Sequence, residues 1–379
     1  MRSGLSREDV ERVIHPLVDA LFRNIPSGVG SHRKDLKLSP KELARVMERG
    51  VAWAVEMGYG SQEDMEHIEA RGCISGAHAE KVSERALERG KSQLGTVGSG
   101  NHFVEVGYVE EVFDPEVARV FGLEKDMATV LVHTGSRGLG HQVCDDYIKT
   151  MMRASRDYSI DLPDPQLCCA PVESPEGRDY LSAMAAAANF AFVNRQMISH
   201  WVRETFDQVF QLGPRDLGLD LVYDVCHNIA KLEEHEVAGK RMKLCVHRKG
   251  ATRAFPPGHP DIPERYREVG QPVLIPGDMG RCSYVLVGTH GAYRETFGST
   301  CHGAGRVMSR HQAMKASKGR SISKELEARG IVVRGASKST LVEEIPEAYK
   351  DVNDVVNVVH GAGISSKVVR LRPLGVVKG

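Results

Sequence analysis

The pattern of hydrophobic and polar positions changes its period near residue 92. Before that point, apolar residues recur at helical spacing between glycine and serine breaks, from Arg7 to Gly90. Ser39 followed by Pro40 has the composition of a helix start, with a serine cap and a proline in the first turn. The pattern therefore predicts a mainly helical part over residues 1–92.

After residue 92, short β-branched runs separated by glycine predict strands. These runs are HFVEVGYV from His102, ATVLVH ending at His133, LVYDVCH ending at His227, MKLCVH ending at His247, PVLIP from Pro272, SYVLVG from Ser283, GIVV from Gly330 and KVVRLRPL from Lys367. One long helix is expected from Arg178 to about Phe210, with an alanine-rich middle that should pack against a sheet. Because strands and helices are mixed rather than strictly alternating, we expect an α+β fold.

The amino-acid composition limits which partners and which cellular location we expect for the protein. Lysine plus arginine equals aspartate plus glutamate at 50 each, so the summed charge cannot attract nucleic acid, and any polyanion needs a local patch. The N-terminus lacks the apolar core of a signal peptide, and no apolar run reaches the roughly 18 residues of a membrane span. Eight cysteines in such a chain are expected to be reduced thiols. We therefore expect a soluble, cytoplasmic protein.

Four histidines lie where an apolar strand is predicted to begin or end, namely His102, His133, His227 and His302. Such positions combine a stiff backbone with an opening into a crevice, as a metal or catalytic site requires. Imidazole is a common ligand of manganese, iron and zinc. The alternative for each one is a core histidine bonded to a backbone carbonyl. With no HExxH motif and no CxxC pair, metal ligands would have to converge from distant strands.

His302 differs because the small residues 303–305 follow it. Missing side chains allow a large anionic group to approach the ring, and backbone amides there can form an anion-binding nest, completed by a helix starting near Arg306. This favours a histidine nucleophile that attacks a phosphoryl group. A glycine-rich turn that contains a histidine by chance is the alternative. The basic strings HRKGATR and GSRGLG could bind RNA phosphates or be solvated loops.

Together these strings resemble the RtcB family of 3′-phosphate RNA ligases, also called tRNA-splicing ligases. The resemblance runs from residue 1 to residue 379 and rests on QLGTVGSGNHFVEV, VLVHTGSRGLGHQV, DVCHNIAK, HRKGATRAFPPG, IPGDMGRCSYVLVG, STCHGAGRVMSR and RPLGVVKG. It implies a single RtcB-like catalytic domain over 1–379, in which mixed sheets form a central metal and nucleotide cleft flanked by helices. Residues 93–379 would carry the active site.

The resemblance also implies a reaction. A GTP- and Mn²⁺-dependent ligase would join RNA ends that carry a 2′,3′-cyclic phosphate or a 3′-phosphate to 5′-hydroxyl ends, through a histidine-GMP intermediate. The ligase would act in tRNA splicing or RNA repair, on tRNA halves or broken RNA. It would bind two manganese ions and be a monomer, and an activating protein could be a further partner. The alternatives are a metal-dependent phosphoesterase and a catalytically impaired GTP- or RNA-binding protein.

Residue by residue, the resemblance makes His302 the nucleophile and His102, His133 and His227 the metal ligands. The guanylate-binding positions are Asn101, His102, Glu105, His227, Asn228, Pro276, Gly277, Asp278, Met279, Ser283, His302, Gly303, Ala304, Gly305, Tyr349 and Lys378. Glu105 can accept from the guanine N1 and N2 hydrogens, Lys378 can donate to O6, and Tyr349 offers a stacking face. Since Lys378 is next to last, the C-terminus should be folded into the protein.

The sequence departs from the family pattern in two places. The family's DxxCG motif, whose aspartate and cysteine bind metal, would fall just before Met1. Either the start of the chain is assigned too late, or the chain is trimmed, or the protein has lost part of its metal site. Asp278 stands where the family usually has serine. A carboxylate there would repel GTP phosphates unless a metal or Arg281 offsets it.

Overall fold

A computed structural model of the chain describes residues 1–33, 36 and 38–379. The strands are β1 (Arg2–Ser6), β2 (Phe103–Val112), β3 (Met127–His133), β4 (Asn228–Val237), β5 (Lys240–Lys249), β6 (Ala251–Arg253), β7 (Pro272–Ile275), β8 (Ser283–Gly288), β9 (Ser299–Cys301), β10 (Val332–Gly335) and β11 (Ser365–Lys378). This mixture of mainly antiparallel strands and many helices confirms the predicted α+β class.

The helices connect and cover these strands. They are α1 (Arg7–Glu11), α2 (Ile14–Asn24), α3 (Pro40–Arg49), α4 (Val51–Glu56), α5 (Gln62–Glu66), α6 (Glu84–Gly90), α7 (Pro115–Phe121), α8 (Arg137–Asp157), α9 (Pro175–Phe210), α10 (Pro214–Leu217), α11 (His290–Glu295), α12 (Arg310–Ala316), α13 (Ile322–Glu327), α14 (Lys338–Glu343) and α15 (Val352–Gly361). Short 3-10 turns lie at Glu69–Gly72, Ala79–Lys81, Pro165–Leu167, Glu264–Tyr266 and Pro346–Ala348. The predicted cap at Ser39 is confirmed, because its hydroxyl accepts from the Glu42 amide.

The main sheet has the strand order β1-β3-β2-β11-β8-β7, and β10 pairs in parallel with β11. The long strand β11 pairs with β8 from Ser365 to Leu371, while its end, Gly375–Lys378, pairs with β10. Its other edge pairs with β2, so Lys378 lies opposite Phe103. Lys378 is only 3% exposed, which confirms that the C-terminus is folded into the protein.

The helix α9 packs differently along its length. Its alanine-rich part, including Ala183 and Ala186, lies against α3, α4 and α8 in a helical core, not against the sheet as predicted. The sheet is contacted further along, where Ile198, Val202 and Phe206 pack near the valines of β2 and β3. Small side chains allow helices to approach closely, whereas larger ones are needed to cover the sheet.

One local prediction is wrong. The run ending at His227 forms a single isolated bridge, at Asp224, instead of a strand, and the strand β4 begins just after it. β4 and β5 form a separate two-stranded hairpin whose turn residues, Ala238 and Gly239, both have positive φ. Such a turn suits the strand twist but normally carries asparagine or aspartate before glycine, so the local sequence did not indicate a hairpin here.

Residues 1–92 are mainly helical, yet they also contribute β1 to the main sheet, where it pairs with β3. The predicted organisation as one catalytic domain over 1–379 stays a prediction. In the described residues, no helix combines the length and the apolar character needed to cross a bilayer.

Candidate active site

The fold brings together the four histidines predicted at strand ends, here called the histidine cluster (His102, His133, His227 and His302). The rings of His227 and His302 are stacked, with centroids 3.6 Å apart. The ring of His133 lies 5.0 Å from that of His302 and 5.2 Å from that of His227, and the ring of His102 lies 5.7 Å from that of His133. Residues from four distant parts of the chain therefore share one site.

Backbone pairing positions these side chains. His102 directly precedes β2 and His133 ends β3, and the register of these two strands places Phe103 opposite His133. His227 and His302 are joined through Gly250, whose amide donates to the His227 carbonyl at 2.9 Å and whose carbonyl accepts from the His302 amide at 3.2 Å. Stiff strands and a shared glycine thus fix the four rings relative to one another.

Asn194, on α9, ties the loops around the cluster to the helical core. Its side-chain oxygen accepts from the amides of Gly95 and Thr96. Its side-chain nitrogen donates to the carbonyls of Thr96 and Gly135, each at 3.1 Å. These bonds satisfy backbone groups in the loops that precede β2 and follow β3. A fully buried amide therefore supports the glycine-rich strings recognised in the sequence.

The imidazoles of the cluster are held neutral. Burial, with Arg137 and Lys378 nearby, lowers the pKa of His102 to about 3. Burial, with Arg195 and Lys249, lowers the pKa of His227 to about 4. Burial also places the pKa values of His133 and His302 well below the ordinary value, as each imidazole disfavours a charge on the next. Neutral imidazoles have a free lone pair for a metal or a phosphorus atom.

The cluster fits a divalent metal. Ring nitrogens of His133, His227 and His302 all lie within 4.8 Å of one another. In the described part of the chain, the buried Nδ1 of His302 has no hydrogen-bond partner, and a bound ligand would satisfy it. This group of three contains His302 in place of His102, which lies beside it. Which of the four bind metal and which one attacks stays a prediction.

A cavity of about 310 Å³ opens next to the cluster. Apart from His102 and Ser283, every predicted catalytic and guanylate-binding position lines it: Asn101, Glu105, His227, Asn228, Pro276, Gly277, Asp278, Met279, His302, Gly303, Ala304, Gly305, Tyr349 and Lys378. His102 lies against His133, which lines the cavity, and the Ser283 hydroxyl accepts from the Gly277 amide. The volume is in the range of small-molecule sites.

Two buried ionisable groups, one acidic and one basic, lie in this cavity. Burial, helped by Asp278, raises the pKa of Glu105 to about 8 against the opposing effects of Lys378 and Ser283. Burial likewise lowers the pKa of Lys378 to about 8, although Glu344 and Glu105 act to raise it. A ligand that donates to Glu105 and accepts from Lys378 would stabilise the charged form of each group.

The departure at Asp278 is compensated locally. Its carboxylate accepts from Arg281 at 2.8 Å and from the Gly280 amide at 2.9 Å. The carboxylate is therefore paired within its own loop, so Arg281 supplies the offset that the sequence suggested.

The sequence did not identify several residues of this cavity. Arg306, Arg310 and Glu344 line it as well. Arg306 and Arg310 follow the His302 string closely, and that spacing could have indicated them. Glu344 lies in a stretch without glycine or histidine, so no sequence signal pointed to it.

Two arginines of the basic string HRKGATR have a structural role instead of the predicted role in binding RNA phosphates. Arg248, from the string HRKGATR, is 2% exposed and bonds Glu233 through two nitrogens at 2.7 and 2.8 Å. Arg253 from the same string is also buried. Neither is free to bind RNA phosphates, so this string offers Lys249 instead.

The predicted helix near Arg306 begins later. α12 starts at Arg310 with Ser309 as its cap. Arg306 instead forms an isolated bridge with Tyr349, and the neighbouring amides of Val307 and Lys350 bond across the same pair of segments. The loop of His302 is therefore tied to the loop of Tyr349 and not to a helix N-terminus.

Comparison with known proteins identifies the family of this chain. The family described as tRNA-splicing ligase RtcB matches residues 1–379. A tRNA-splicing ligase RtcB from Archaeoglobus fulgidus is 58% identical, covering 100% of this chain and 78% of the relative. Those from Methanocaldococcus jannaschii and Pyrococcus abyssi are 55% and 57% identical over 100% of this chain, which spans only 39% and 41% of their lengths. The chain belongs to the RtcB family.

Proposed function

We propose that the protein is an RNA ligase that activates an RNA 3′ end with GTP through the imidazole of His302. Membership of a family whose relatives are named tRNA-splicing ligases supports the ligase activity. The same relatives do not favour the phosphoesterase or the impaired binding protein. The observation that carries the nucleotide part is a single cavity that joins a neutral, stacked His302 to Glu105 and Lys378.

The reaction begins at His302. The lone pair of a ring nitrogen attacks the α-phosphorus of GTP, a P–N bond forms, and the P–O bond to pyrophosphate breaks. Gly303 and Gly305 leave space for the α-phosphate beside the ring, and Gly305 adopts a left-handed φ of 75° that favours glycine. The low pKa of His302, caused by burial and by His227, keeps the lone pair free for this attack.

The cavity also suits a guanine base. The carboxylate of Glu105 accepts from the N1 and N2 hydrogens, and the ammonium of Lys378 donates to O6. Mn²⁺ held by the imidazoles of the histidine cluster would polarise the phosphoryl oxygens. Lys249 and Arg310, which line the same cavity, are placed to neutralise phosphate charge, as a chain without net charge requires.

RNA then takes the place of the histidine. An oxygen of the RNA 3′-phosphate attacks the phosphorus of the histidine-bound GMP, and the P–N bond breaks to release His302. The 5′-hydroxyl of the second RNA end attacks the 3′-phosphorus, and GMP leaves. A 2′,3′-cyclic phosphate enters the sequence after one water molecule has opened it to a 3′-phosphate. The natural substrates are tRNA halves or broken RNA ends.

Labelled GTP tests this proposal. With α-³²P-GTP and Mn²⁺, we expect acid-labile label on the protein and joined product when RNA with 3′-phosphate and 5′-hydroxyl ends is added. His302→Ala should abolish both, whereas His311→Ala, at an exposed histidine on α12, should leave both intact. Label on the His302→Ala protein would remove His302 from its role. Phosphate release without label or joined RNA would replace the ligase with a phosphoesterase.

A further inference from the structure

Glu344 is a buried carboxylate beside the side chains proposed to bind guanine. Its side chain is 1% exposed and accepts from Arg306 Nη1 at 3.1 Å and from the hydroxyl of Tyr349. Lys378 Nζ lies 3.9 Å away and Arg310 Nε 3.8 Å away. One carboxylate therefore contacts both a proposed stacking ring and a proposed base-reading ammonium.

Burial makes this carboxylate and Lys378 depend on each other. The side chain of Lys378 is 4% exposed, and a buried ammonium needs a nearby anion to stay charged. Of the two carboxylates that stabilise the charge on Lys378, Glu344 has the larger effect and Glu105 the smaller. Glu105 itself would be engaged by the base, which leaves Glu344 as the anion that continues to stabilise Lys378.

The same carboxylate fixes Tyr349. The hydroxyl of Tyr349 donates to Glu344 and accepts from Arg306 at 3.1 Å. The guanidinium of Arg306 lies 5.0 Å from the centre of the tyrosine ring. Arg306 is also paired with Tyr349 through the backbone. A ring held at its hydroxyl, its face and its backbone has little rotational freedom left to lose when a base stacks on it.

A charged lysine distinguishes the two purines. An ammonium only donates hydrogen bonds. Guanine carries an acceptor at O6, whereas adenine carries the donor amino group N6 at the same place. If adenine were bound, its N6 amino group and the ammonium of Lys378 would both be donors, and neither would be paired in a buried site. The charged state of Lys378 therefore favours guanine over adenine.

We propose that Glu344 is a positioning residue that makes the cavity select guanine, by keeping Lys378 charged and by fixing the ring of Tyr349. This inference rests on the proposed function, because it takes GTP as the nucleotide. Glu344 acts through these two side chains and takes no part in the chemistry at His302.

Binding of simple nucleotides tests this role. In calorimetric titrations with GMP and AMP, the unaltered protein should prefer GMP, and Glu344→Gln should reduce that preference by about tenfold to a hundredfold, the range of a charged hydrogen bond. Glu343→Gln is the matched control, because Glu343 is adjacent and, among the described residues, its carboxylate forms its ion pair with the exposed Arg310. It should keep the preference unchanged. A Glu344→Gln protein that melts normally and retains the full preference would overturn the inference.

Kinetics separate positioning from general damage. With labelled GTP, Glu344→Gln should raise the KM for self-guanylylation while the rate at saturating GTP changes little, since His302 is untouched. Glu344→Asp keeps the charge on Lys378 but shortens the reach to Tyr349, so its preference for GMP should lie between those of the unaltered and Gln proteins. If Glu344→Gln fails to fold, the variants Glu344→Asp and Tyr349→Phe test the inference in its place. A normal preference for GMP over AMP in both variants would contradict the inference. An unaltered protein that neither binds GMP nor labels would instead overturn the proposed function itself.

Discussion

The imidazole rings of His227 and His302 lie parallel, with centroids 3.6 Å apart and planes 3° apart. Burial lowers the pKa of both rings, helped by Arg195 and Lys249 at His227 and by His227 and Arg195 at His302, so both are neutral in this arrangement. Gly250 holds the pair by bonding to the backbone of each. The stack thus keeps a neutral nucleophile candidate beside a metal-ligand candidate.

Replacement of His227 by phenylalanine separates stacking from coordination. Phenylalanine keeps an aromatic ring against His302 but offers no nitrogen to a metal. We expect the melting temperature to change by only a few degrees, while Mn²⁺-dependent labelling with α-³²P-GTP is lost. His247→Phe, at an exposed position on β5, is the control and should label normally. Normal labelling of His227→Phe would show that its nitrogens are not needed.

Gly250→Ala should disturb the stack through the backbone. Gly250 has a φ of 63°, where an added Cβ meets no atom within 4 Å, so the cost is conformational and amounts to about 1–2 kcal/mol. Gly239, in the hairpin turn, has a φ of 77° and equally open surroundings. Urea unfolding should show similar destabilisation of both alanine variants, whereas labelling should fall in Gly250→Ala alone. Equal labelling in the two would mean that the tether at Gly250 does not position the rings.

The loss of folding stability at low pH should depend on the carboxyl group of Glu69. Burial acts to raise the pKa of this carboxyl, but Lys231 and Arg253 outweigh it and hold the pKa at about 2. Because the folded value lies below the ordinary one, the stabilisation is present above about pH 4.5 and is lost as the pH falls towards 2. Lys231 Nζ lies 2.7 Å from the carboxylate, and the Cys226 amide, next to His227, donates to it.

Glu69→Gln removes the charge but keeps the shape. Leaving Lys231 and Arg253 without their anion should cost about 3–5 kcal/mol at neutral pH. Urea unfolding at pH 7 and pH 4 should show that the variant loses less stability on acidification than the unaltered protein. Glu66→Gln, at an exposed position, should stay within about 0.5 kcal/mol at both pH values. The same acid dependence in Glu69→Gln would assign the sensitivity to other groups.

The hairpin β4–β5 and the string HRKGATR are two regions whose structure could not be predicted from the pattern of neighbouring residues. Strand β4 contains the unbroken polar run EEHE at 233–236, which is not typical of a strand, and its hairpin turns through an alanine in a left-handed conformation, so only pairing with β5 reveals it. Arg248 looked like a phosphate ligand because a sequence cannot show that Glu233, fifteen residues earlier, meets it inside the protein. Glu344 was missed for the same reason, since its partners come from three separate segments.

The sequence alone determined the α+β class, the bounds of the long helix to within a few residues, most of the strands and the four histidines at strand ends. It did so because periodicity, glycine breaks and rare strings are properties of neighbouring residues. Only the tertiary structure decided that His227 stacks on His302, that Asn194 holds two loops and that Glu344 lies against Tyr349 and Lys378. All but the contact of Glu344 with Tyr349 join residues far apart in the chain, and burial sets the charge states of the ionisable groups among them, which no local pattern encodes.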